Sequence, residues 1–229
     1  MMSEIKSALK KNETVVKLVR LFNKLLNDRI SKNISGKNNK VLFSPLSGVI
    51  KCHITINGNN NEILVEKGVT LNNLKIFIEG NNCLIHLRKN VQFKDGGTLW
   101  VEDNHGKISI GDDTVIHHAE LAVTENNSKI TIGSGCLFAY GIDIRCGDSH
   151  SIIDLGNKER INHAKDVVIG NKVWMAAHTT VLKGVTILDN CVVATKAIVT
   201  RSPGLSNVIL GGIPAKVIKK NISWAHERM

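Results

Sequence analysis

The sequence predicts an all-β protein, a parallel β-coil of triangular cross-section in which short strands stack coil upon coil. Apolar residues recur at every sixth position over the C-terminal half of the 229-residue chain. Aromatic residues make up only 4% of the chain and prolines number three, while 42% of the residues are hydrophobic. A core must then be built mainly from Ile, Val, Leu and Ala, which suits narrow, repetitive packing.

The six-residue period is clearest between residues 167 and 199. Positions six apart are all apolar, and the residues two positions before them are small or β-branched. An α-helix would repeat every 3.6 residues and an ordinary amphipathic strand every two. A period of six predicts short strands, with three units to each coil and parallel pairing between coils. The apolar set is Ile169, Met175, Val181, Ile187, Val193 and Val199.

Upstream, the pattern is looser. Between Val41 and Val101 the apolar pairs recur at spacings of about six to fifteen residues, and Asn and Gly clusters such as "NGNNN" and "EGNNC" fill the gaps. Both residue types tolerate the left-handed backbone of tight corners. We therefore expect the coil to extend over residues 41–214.

The two ends differ from the coil. Within residues 1–40, the stretch 13–28 has the pattern of an amphipathic helix with basic flanks. We expect it to pack on the end of the prism or on a neighbouring subunit, and weak association with a membrane surface stays open. Residues 215–229 predict a short C-terminal tail or helix, anchored by Trp224.

Charge and cysteine content limit the partners. The net charge of +10 favours an anionic partner, such as a phosphate-bearing cofactor, an acidic polymer, nucleic acid or anionic lipid. No dense Lys/Arg tract is interleaved with aromatic residues, which disfavours nucleic acid as the partner.

The five cysteines are odd in number and include no CxxC pair, so we expect reduced core thiols. With no evident signal peptide or membrane span, this predicts a cytoplasmic protein.

Two segments carry a family resemblance. They are "DVVIGNKVWMAAHTTVLKGVTILDNCVVATKAIVT" (166–200) and "ILGGIPAKVIKK" (209–220). They resemble the hexapeptide-repeat acyltransferases, which implies a left-handed parallel β-helix and a homotrimer. The segments "IRCGDSHSIID" (144–154) and "ERINHAKDVVIG" (159–170) are similar to those of bacterial capsule and polysialic acid O-acetyltransferases.

The resemblance also implies a catalytic centre. His150 falls six residues after Ile144, where the next strand is due, and the chain instead forms a protruding loop over about 151–165. His150 is the expected general base, since histidine titrates near neutral pH. Asp148 or a backbone carbonyl is expected to orient it, and Trp174 to line the site.

Acetyl-CoA is the implied co-substrate, with no permanently bound cofactor and no metal. A backbone N–H near Ala176 or Ala177 is the candidate oxyanion donor, although Ala176 stands where relatives commonly have Gly. The implied CoA contacts are Ala177, Lys183, Thr195, Thr200, Arg201, Lys216 and Lys219. The candidate acceptor-side residues are His118, Glu120, Arg145 and Arg160.

The resemblance therefore implies an acetyl-CoA-dependent O-acetyltransferase that modifies a hydroxyl of a bacterial surface (capsular) polysaccharide directly, without an acyl-enzyme intermediate. One alternative is N-acetylation of a nucleotide-linked amino sugar. Enzymes of that class usually have an additional N-terminal nucleotide-binding domain, and residues 1–40 lack the βαβ pattern of such a domain. Another is a non-catalytic β-helical scaffold. A zinc-dependent carbonic anhydrase on the same prism is disfavoured because no His-x4-His spacing occurs.

Overall fold

The computed structural model of the protein describes residues 30–227 together with Thr14, Lys17 and Leu18. The described residues form 24 short strands along one continuous solenoid. In chain order the strands are β1 (Ser31–Ser35), β2 (Lys40–Phe43), β3 (Gly48–Ile50), β4 (His53–Asn57), β5 (Glu62–Val65), β6 (Thr70–Asn72), β7 (Leu74–Glu79), β8 (Leu84–Leu87), β9 (Gln92–Phe93), β10 (Gly97–Glu102), β11 (Lys107–Ile110), β12 (Val115–Ile116), β13 (Ala119–Val123), β14 (Lys129–Ile132), β15 (Leu137–Phe138), β16 (Ile142–Arg145), β17 (Val167–Ile169), β18 (Trp174–Met175), β19 (Thr180–Val181), β20 (Thr186–Ile187), β21 (Val192–Val193), β22 (Ile198–Val199), β23 (Val208–Gly212) and β24 (Ala215–Lys220).

Three sheets form the faces of a prism. The first sheet runs from β1 to β22, the second from β2 to β20, and the third from β3 to β23 with β24 at its edge. From β1 to β22, each strand that continues a sheet pairs in parallel with a strand one coil further along. The chain thus turns three corners per coil: the first corner joins the first and second sheets, the second corner joins the second and third, and the third corner leads back to the first. The predicted parallel β-helix is confirmed.

The coils are longer upstream than the six-residue period predicts. Ile54 lies opposite Ile76, 22 residues further on, whereas Val181 lies opposite Val199, 18 residues further on. Three six-residue units account for the shorter coil. In the longer coils the strands of the first and second sheets have four to six residues, those of the third sheet have two or three, and the corners contain Asn and Gly, which is why the sequence period is hard to see.

Asparagine stacking orders the first corner in the upstream coils. Asn59 Nδ2 donates to Asn81 Oδ1 at 3.0 Å, and Asn81 Nδ2 donates to Asn104 Oδ1 at 2.9 Å. Beside this ladder, Gly58 has a φ of +138°, and a Cβ placed there would lie 1.9 Å from the Gly80 carbonyl oxygen. Only glycine fits so close an approach of one coil to the next.

The core is a narrow column of Ile, Val and Leu side chains along the prism axis, with Phe93 and Phe138 as its largest members. Burying each such side chain contributes about 1.5–3 kcal/mol. All five cysteines are buried, and no disulfide bond joins any two of them. They occupy positions where a small apolar side chain packs, as the sequence predicts.

Most of the predicted N-terminal helix lies outside the described residues, although Thr14, Lys17 and Leu18 are helical. At the other end, residues 215–220 form β24 instead of a tail or helix, because the chain reverses after β23 and pairs with it antiparallel. The tail follows as 221–227, where Trp224 Nε1 donates to the Lys172 carbonyl at 2.7 Å, so its expected anchoring role is confirmed. Across the described part of the chain, no helix has the length and hydropathy needed to cross a bilayer.

Candidate active site

A loop leaves the prism at the first corner after β16. Because of it, Ile144 lies opposite Val181, 37 residues further on, in place of the 17 to 23 residues that separate paired positions of parallel strands elsewhere in the solenoid. Ile153 and Arg160 form an antiparallel bridge within the loop. The chain rejoins the prism at Asp166, whose carboxylate accepts a hydrogen bond from the Lys129 backbone N–H at 2.9 Å. The loop is thus tethered at both ends to rigid coils.

His150 lies exposed at the start of this loop. Its carbonyl oxygen accepts a hydrogen bond from Asn162 Nδ2 at 2.8 Å. Among the described residues, no side chain or backbone group is hydrogen-bonded to its imidazole ring. No described group of the chain therefore competes with a substrate hydroxyl for a hydrogen bond to either ring nitrogen.

No hydrogen bond or ion pair joins Asp148 to the imidazole of His150 in the described part of the chain. Its Oδ2 accepts hydrogen bonds from Lys183 Nζ at 2.5 Å and from Asn162 Nδ2 at 2.7 Å. Two hydrogen bonds hold the pKa of the Asp148 carboxyl below its ordinary value. The bond from Lys183 has the larger effect and the bond from Asn162 the smaller one. Lys183 also donates to the Asn162 carbonyl at 2.7 Å. The sequence assigns Lys183 to a CoA phosphate, but here its ammonium joins the base of the loop to the next coil.

Asn162 connects Asp148, Lys183 and the backbone of His150, although the sequence predicted no role for it. Its side chain is only 6% exposed. Besides its two donated bonds, its Oδ1 accepts from the Ile152 backbone N–H at 2.7 Å and from Arg160 Nε at 3.1 Å. An isolated Asn in a polar loop ordinarily indicates a turn. The sequence feature that marks this position is its place within the quoted "ERINH" segment.

Both arginines proposed for the acceptor side are engaged in ion pairs. An Arg160 guanidinium nitrogen donates to Glu125 Oε1 at 2.5 Å, and the same oxygen accepts from the Ala164 N–H at 3.1 Å. Arg145 Nε lies 2.9 Å from the Asp143 carboxylate on the exposed face of the first sheet. Arg160 thus braces the loop, whereas Arg145 remains on the open surface.

Thr200 and Arg201 directly follow β22. The strands β16, β19 and β22 stack in that order, so these residues lie two coils beyond the coil that ends near His150. With a spacing of about 4.8 Å per coil, that is about 10 Å along the prism. Both are exposed, and the first corner thus presents an accessible cation beyond the loop.

Trp174 lies on another face. It opens β18 in the third sheet, with 37% of its surface exposed, and its ring centroid is 6.1 Å from that of Trp224. The Ala176 N–H donates to the Val193 carbonyl at 2.9 Å, so it is not free to bind an oxyanion. For Ala177, no backbone hydrogen bond from the N–H is found among the described residues, which leaves Ala177 as the candidate donor.

The remaining candidates lie at the third corner and on the edge strand β24. The Lys196 N–H donates to the Ala177 carbonyl at 3.0 Å, which places Ala177 and Thr195 on successive coils. Lower on this corner, His118 Nε2 lies 3.7 Å from Glu120 Oε1. Lys216 and Lys219 lie on β24, where both are exposed.

The third corner also carries a polar group that the sequence did not predict, formed by Asp95, His117 and Tyr140. The rings of His117 and Tyr140 have centroids 5.0 Å apart. His117 Nδ1 lies 3.3 Å from the Asp95 carboxylate, and a hydrogen bond to that carboxylate raises the pKa of Tyr140. These residues lie on successive coils about 22 residues apart, and only the coil register brings them together.

One chain therefore divides the predicted site residues among different edges of the prism. His150, Lys183 and Arg201 lie at the first corner, whereas Ala177 and Thr195 lie at the third. Trp174 lies on the third sheet next to the second corner.

Two solved structures are similar over most of the chain. The polysialic acid O-acetyltransferase OatWY is 33% identical, and the superposition covers 88% of this chain and 93% of that one with a TM-score of 0.80. The polySia-specific acetyltransferase NeuO is 30% identical, with 86% and 89% covered and a TM-score of 0.78.

Curated proteins match over a shorter segment. A stretch of 54 residues is 41% identical to the galactoside O-acetyltransferase of Escherichia coli strain K12, which is 24% of this chain and 26% of that protein. The chain thus spans about a quarter of the length of the curated relatives it matches. No family model matches the chain.

Proposed function

The chain belongs to the hexapeptide-repeat acetyltransferases with a left-handed β-helix, and from that premise we propose that it transfers an acetyl group from acetyl-CoA to a hydroxyl of a bacterial capsular polysaccharide. The observation that carries this proposal is the likeness to two acetyltransferases described as acting on polysialic acid, at 33% and 30% identity over 88% and 86% of the chain. The net charge of +10 supports an acidic polymer as acceptor.

His150 is the proposed general base. Its exposed imidazole follows a rigid strand, and its backbone carbonyl is held by Asn162. In the reaction, the imidazole removes the proton of the sugar hydroxyl while the oxygen attacks the thioester carbonyl. The C–S bond then breaks, and the CoA sulfur leaves with the proton from the imidazolium. The acetyl group passes directly to the sugar, so no acyl-enzyme forms.

CoA is proposed to lie along the prism edges that carry Ala177 and Thr195 on one side and Thr200 and Arg201 on the other. The Ala177 N–H is the proposed donor to the oxyanion. The cationic side chains of Arg201, Lys216 and Lys219 are exposed and suit the phosphates of CoA. Lys183 is left out of this set because its ammonium is bound by Asp148.

We infer that the complete site is shared between copies of the chain in a homotrimer. His150 and Trp174 lie on different edges of one prism, so a site that uses both needs a second prism beside the first. A closed ring of identical subunits provides this arrangement at each interface. The loop supports it, since Ile152, Leu155 and Ile161 expose 55%, 82% and 61% of their surfaces and suit an apolar contact with a neighbour.

The cysteines support a reducing compartment such as the cytoplasm. All five are buried, and no disulfide bond joins any two of them. An acetyl-CoA-dependent enzyme also needs a compartment where CoA is available.

The acceptor class is tested by incubating the protein with acetyl-CoA and a panel of capsular polysaccharides. The panel includes α2,8-linked and α2,9-linked polysialic acid, a neutral capsule polymer and a nucleotide-linked amino sugar. CoA thiol release and new O-acetyl proton signals in the polymer should appear together with an acidic polysaccharide. Release with the amino sugar alone would indicate N-acetylation, and neither release nor CoA binding would leave a scaffold.

Site sharing is tested by mixing His150→Ala and Trp174→Ala chains under conditions that allow subunit exchange. If the two residues act together across an interface, mixed trimers regain at least one intact site, and activity recovers to a measurable fraction of the wild-type value. Mixing His150→Ala with His150→Ala carrying a different affinity tag is the control and should regain nothing. A mixture that stays as inactive as its components contradicts the shared site.

A further inference from the structure

Three side chains close the base of the loop, and we call them the loop latch: Asp148, Asn162 and Lys183. Asp148 precedes the loop, Asn162 lies within it where the chain returns towards the prism, and Lys183 comes from the next coil. Asn162 Nδ2 lies 2.7 Å from Asp148 Oδ2, and Lys183 Nζ lies 2.5 Å from the same oxygen. The Asn162 carbonyl accepts a second bond from Lys183 at 2.7 Å.

The loop latch encloses the backbone of His150. Asn162 Nδ2 donates to the His150 carbonyl at 2.8 Å, and Asn162 Oδ1 accepts from the Ile152 N–H at 2.7 Å. One side chain thus fixes the peptide groups on both sides of residue 151. Because Asn162 is almost fully buried, water cannot readily replace these bonds.

The amide of Asn162 has no capacity left for a substrate. An amide side chain offers two N–H donors and two acceptor lone pairs. The donors reach the His150 carbonyl and Asp148, and the acceptors are used by the Ile152 N–H and Arg160 Nε. A saturated, buried amide acts on its neighbours in the chain and not on a ligand.

We infer that Asn162 is a positioning residue that holds His150 at the place where it removes the hydroxyl proton. This inference rests on the proposed function, since it presumes that His150 is the base. A base must stay within hydrogen-bond reach of the hydroxyl, and a misplacement of about 1 Å can cost about a hundredfold in rate. In the proposed reaction, Asn162 contacts neither acetyl-CoA nor the acceptor sugar. It changes the rate only by holding the His150 backbone.

Two variants separate the parts of this role. Asn162→Ala removes all four bonds of the side chain. Asn162→Asp keeps the shape and the acceptor for the Ile152 N–H but loses both donors, including the one to the His150 carbonyl. Asn157→Ala is the matched control, because it removes an exposed amide at the loop tip whose side chain bonds only to Glu159 within the loop.

Three quantities are measured on the purified protein: kcat, KM for acetyl-CoA, and backbone hydrogen exchange at Ile152. We expect Asn162→Ala to lower kcat at least about tenfold with KM changed less than about twofold. Exchange at Ile152 should accelerate at least about tenfold in that variant. Asn162→Asp should lose a similar factor in kcat with a smaller change in exchange. Asn157→Ala should match the wild type in all three.

Other results overturn the inference. Wild-type kcat in both Asn162 variants, a rise in KM at constant kcat, or an equal loss in Asn157→Ala would each remove the positioning role. If Asn162→Ala does not fold, as judged by circular dichroism and thermal unfolding, Asn162→Asp decides alone. If the wild-type protein transfers no acetyl group to any acceptor, the proposed function itself has failed, and the positioning role fails with it.

Discussion

Lys183 and Asp148 join two coils at the base of the protruding loop, with Lys183 Nζ 2.5 Å from Asp148 Oδ2. The two residues are 35 positions apart in the chain and meet only because β16 pairs with β19. This contact joins Lys183 to the base of the loop. It also makes the order of the loop depend on pH.

We expect Lys183→Met to reduce the free energy of unfolding by less than about 1 kcal/mol at neutral pH, since partly exposed ion pairs contribute about 0–1 kcal/mol. Lys183 holds the pKa of Asp148 below its ordinary value of about 3.9. The ionised pair therefore stabilises the fold fully above that ordinary value, and the contribution is lost as pH falls through the lowered pKa.

The check is urea unfolding of wild type and Lys183→Met from about pH 7 to about pH 2. The stability difference should be largest at neutral pH and shrink towards zero in acid. Lys94→Met, at an exposed lysine on a distant coil, controls for loss of a positive charge. A Lys183→Met difference that is the same at both ends of this range would contradict the account.

A glycine at the second corner should not tolerate a side chain. A Cβ on Gly133 would lie 2.5 Å from the carbonyl oxygen of Gly170 on the next coil, and backbone atoms there cannot move aside without disturbing the coil stack. We expect Gly133→Ala to destabilise the protein by about 1–3 kcal/mol. Gly48→Ala is the control, since its Cβ would meet only a methyl group at 3.7 Å. Equal unfolding midpoints for the two variants would show that the coils can separate at this corner.

The tail should lose stability when one hydrogen bond is removed. Trp224→Phe keeps an aromatic ring near Trp174 but loses the 2.7 Å bond from Nε1 to the Lys172 carbonyl. The expected cost is about 1 kcal/mol, measured by thermal or urea unfolding. Trp100→Phe makes the same change at a ring that stacks on Phe77 at 4.1 Å and whose Nε1 has no hydrogen-bond partner among the described residues. A larger loss at Trp100 than at Trp224 would be inconsistent with the anchored tail.

The thiols should be inert in the folded protein. Burial raises the pKa of Cys136 and Cys146 to about 11, and all five cysteines are buried. We expect a thiol-exchange reagent near pH 8 to react with native protein far more slowly than with free cysteine, and to detect five thiols in denaturant. Fast labelling of one or more thiols in native protein would contradict the packing, and it would also interfere with any assay of CoA thiol release.

The regular part of the fold follows from the sequence because each coil must place apolar residues inward at fixed intervals. Ile169, Met175 and Val181 are buried on three successive faces, as the six-residue period predicts. The 22-residue upstream coils were not predicted. Their corners are built from Asn and Gly of variable number, and these residues leave no hydrophobic period to follow.

The site was only partly predictable for a different reason. The sequence points to His150 through a break in the repeat and a motif, both of which are local features. Lys183, Glu125 and Asn162 act through partners 14 to 39 residues away, and such pairings depend on the length of the inserted loop. Without that register, Lys183 has the same sequence features as any exposed lysine, and Asn162 those of a turn residue.

The most direct test of the account compares kcat for acetyl transfer in His150→Ala and His163→Ala. Both histidines are exposed at the two ends of the same loop, and His163 Nδ1 lies 3.9 Å from Glu125 Oε2. The account predicts a loss of about a hundredfold or more in His150→Ala, the scale expected for removing a general base, and near wild-type kcat in His163→Ala. Comparable activity in the two variants would contradict the assignment of His150 as the base.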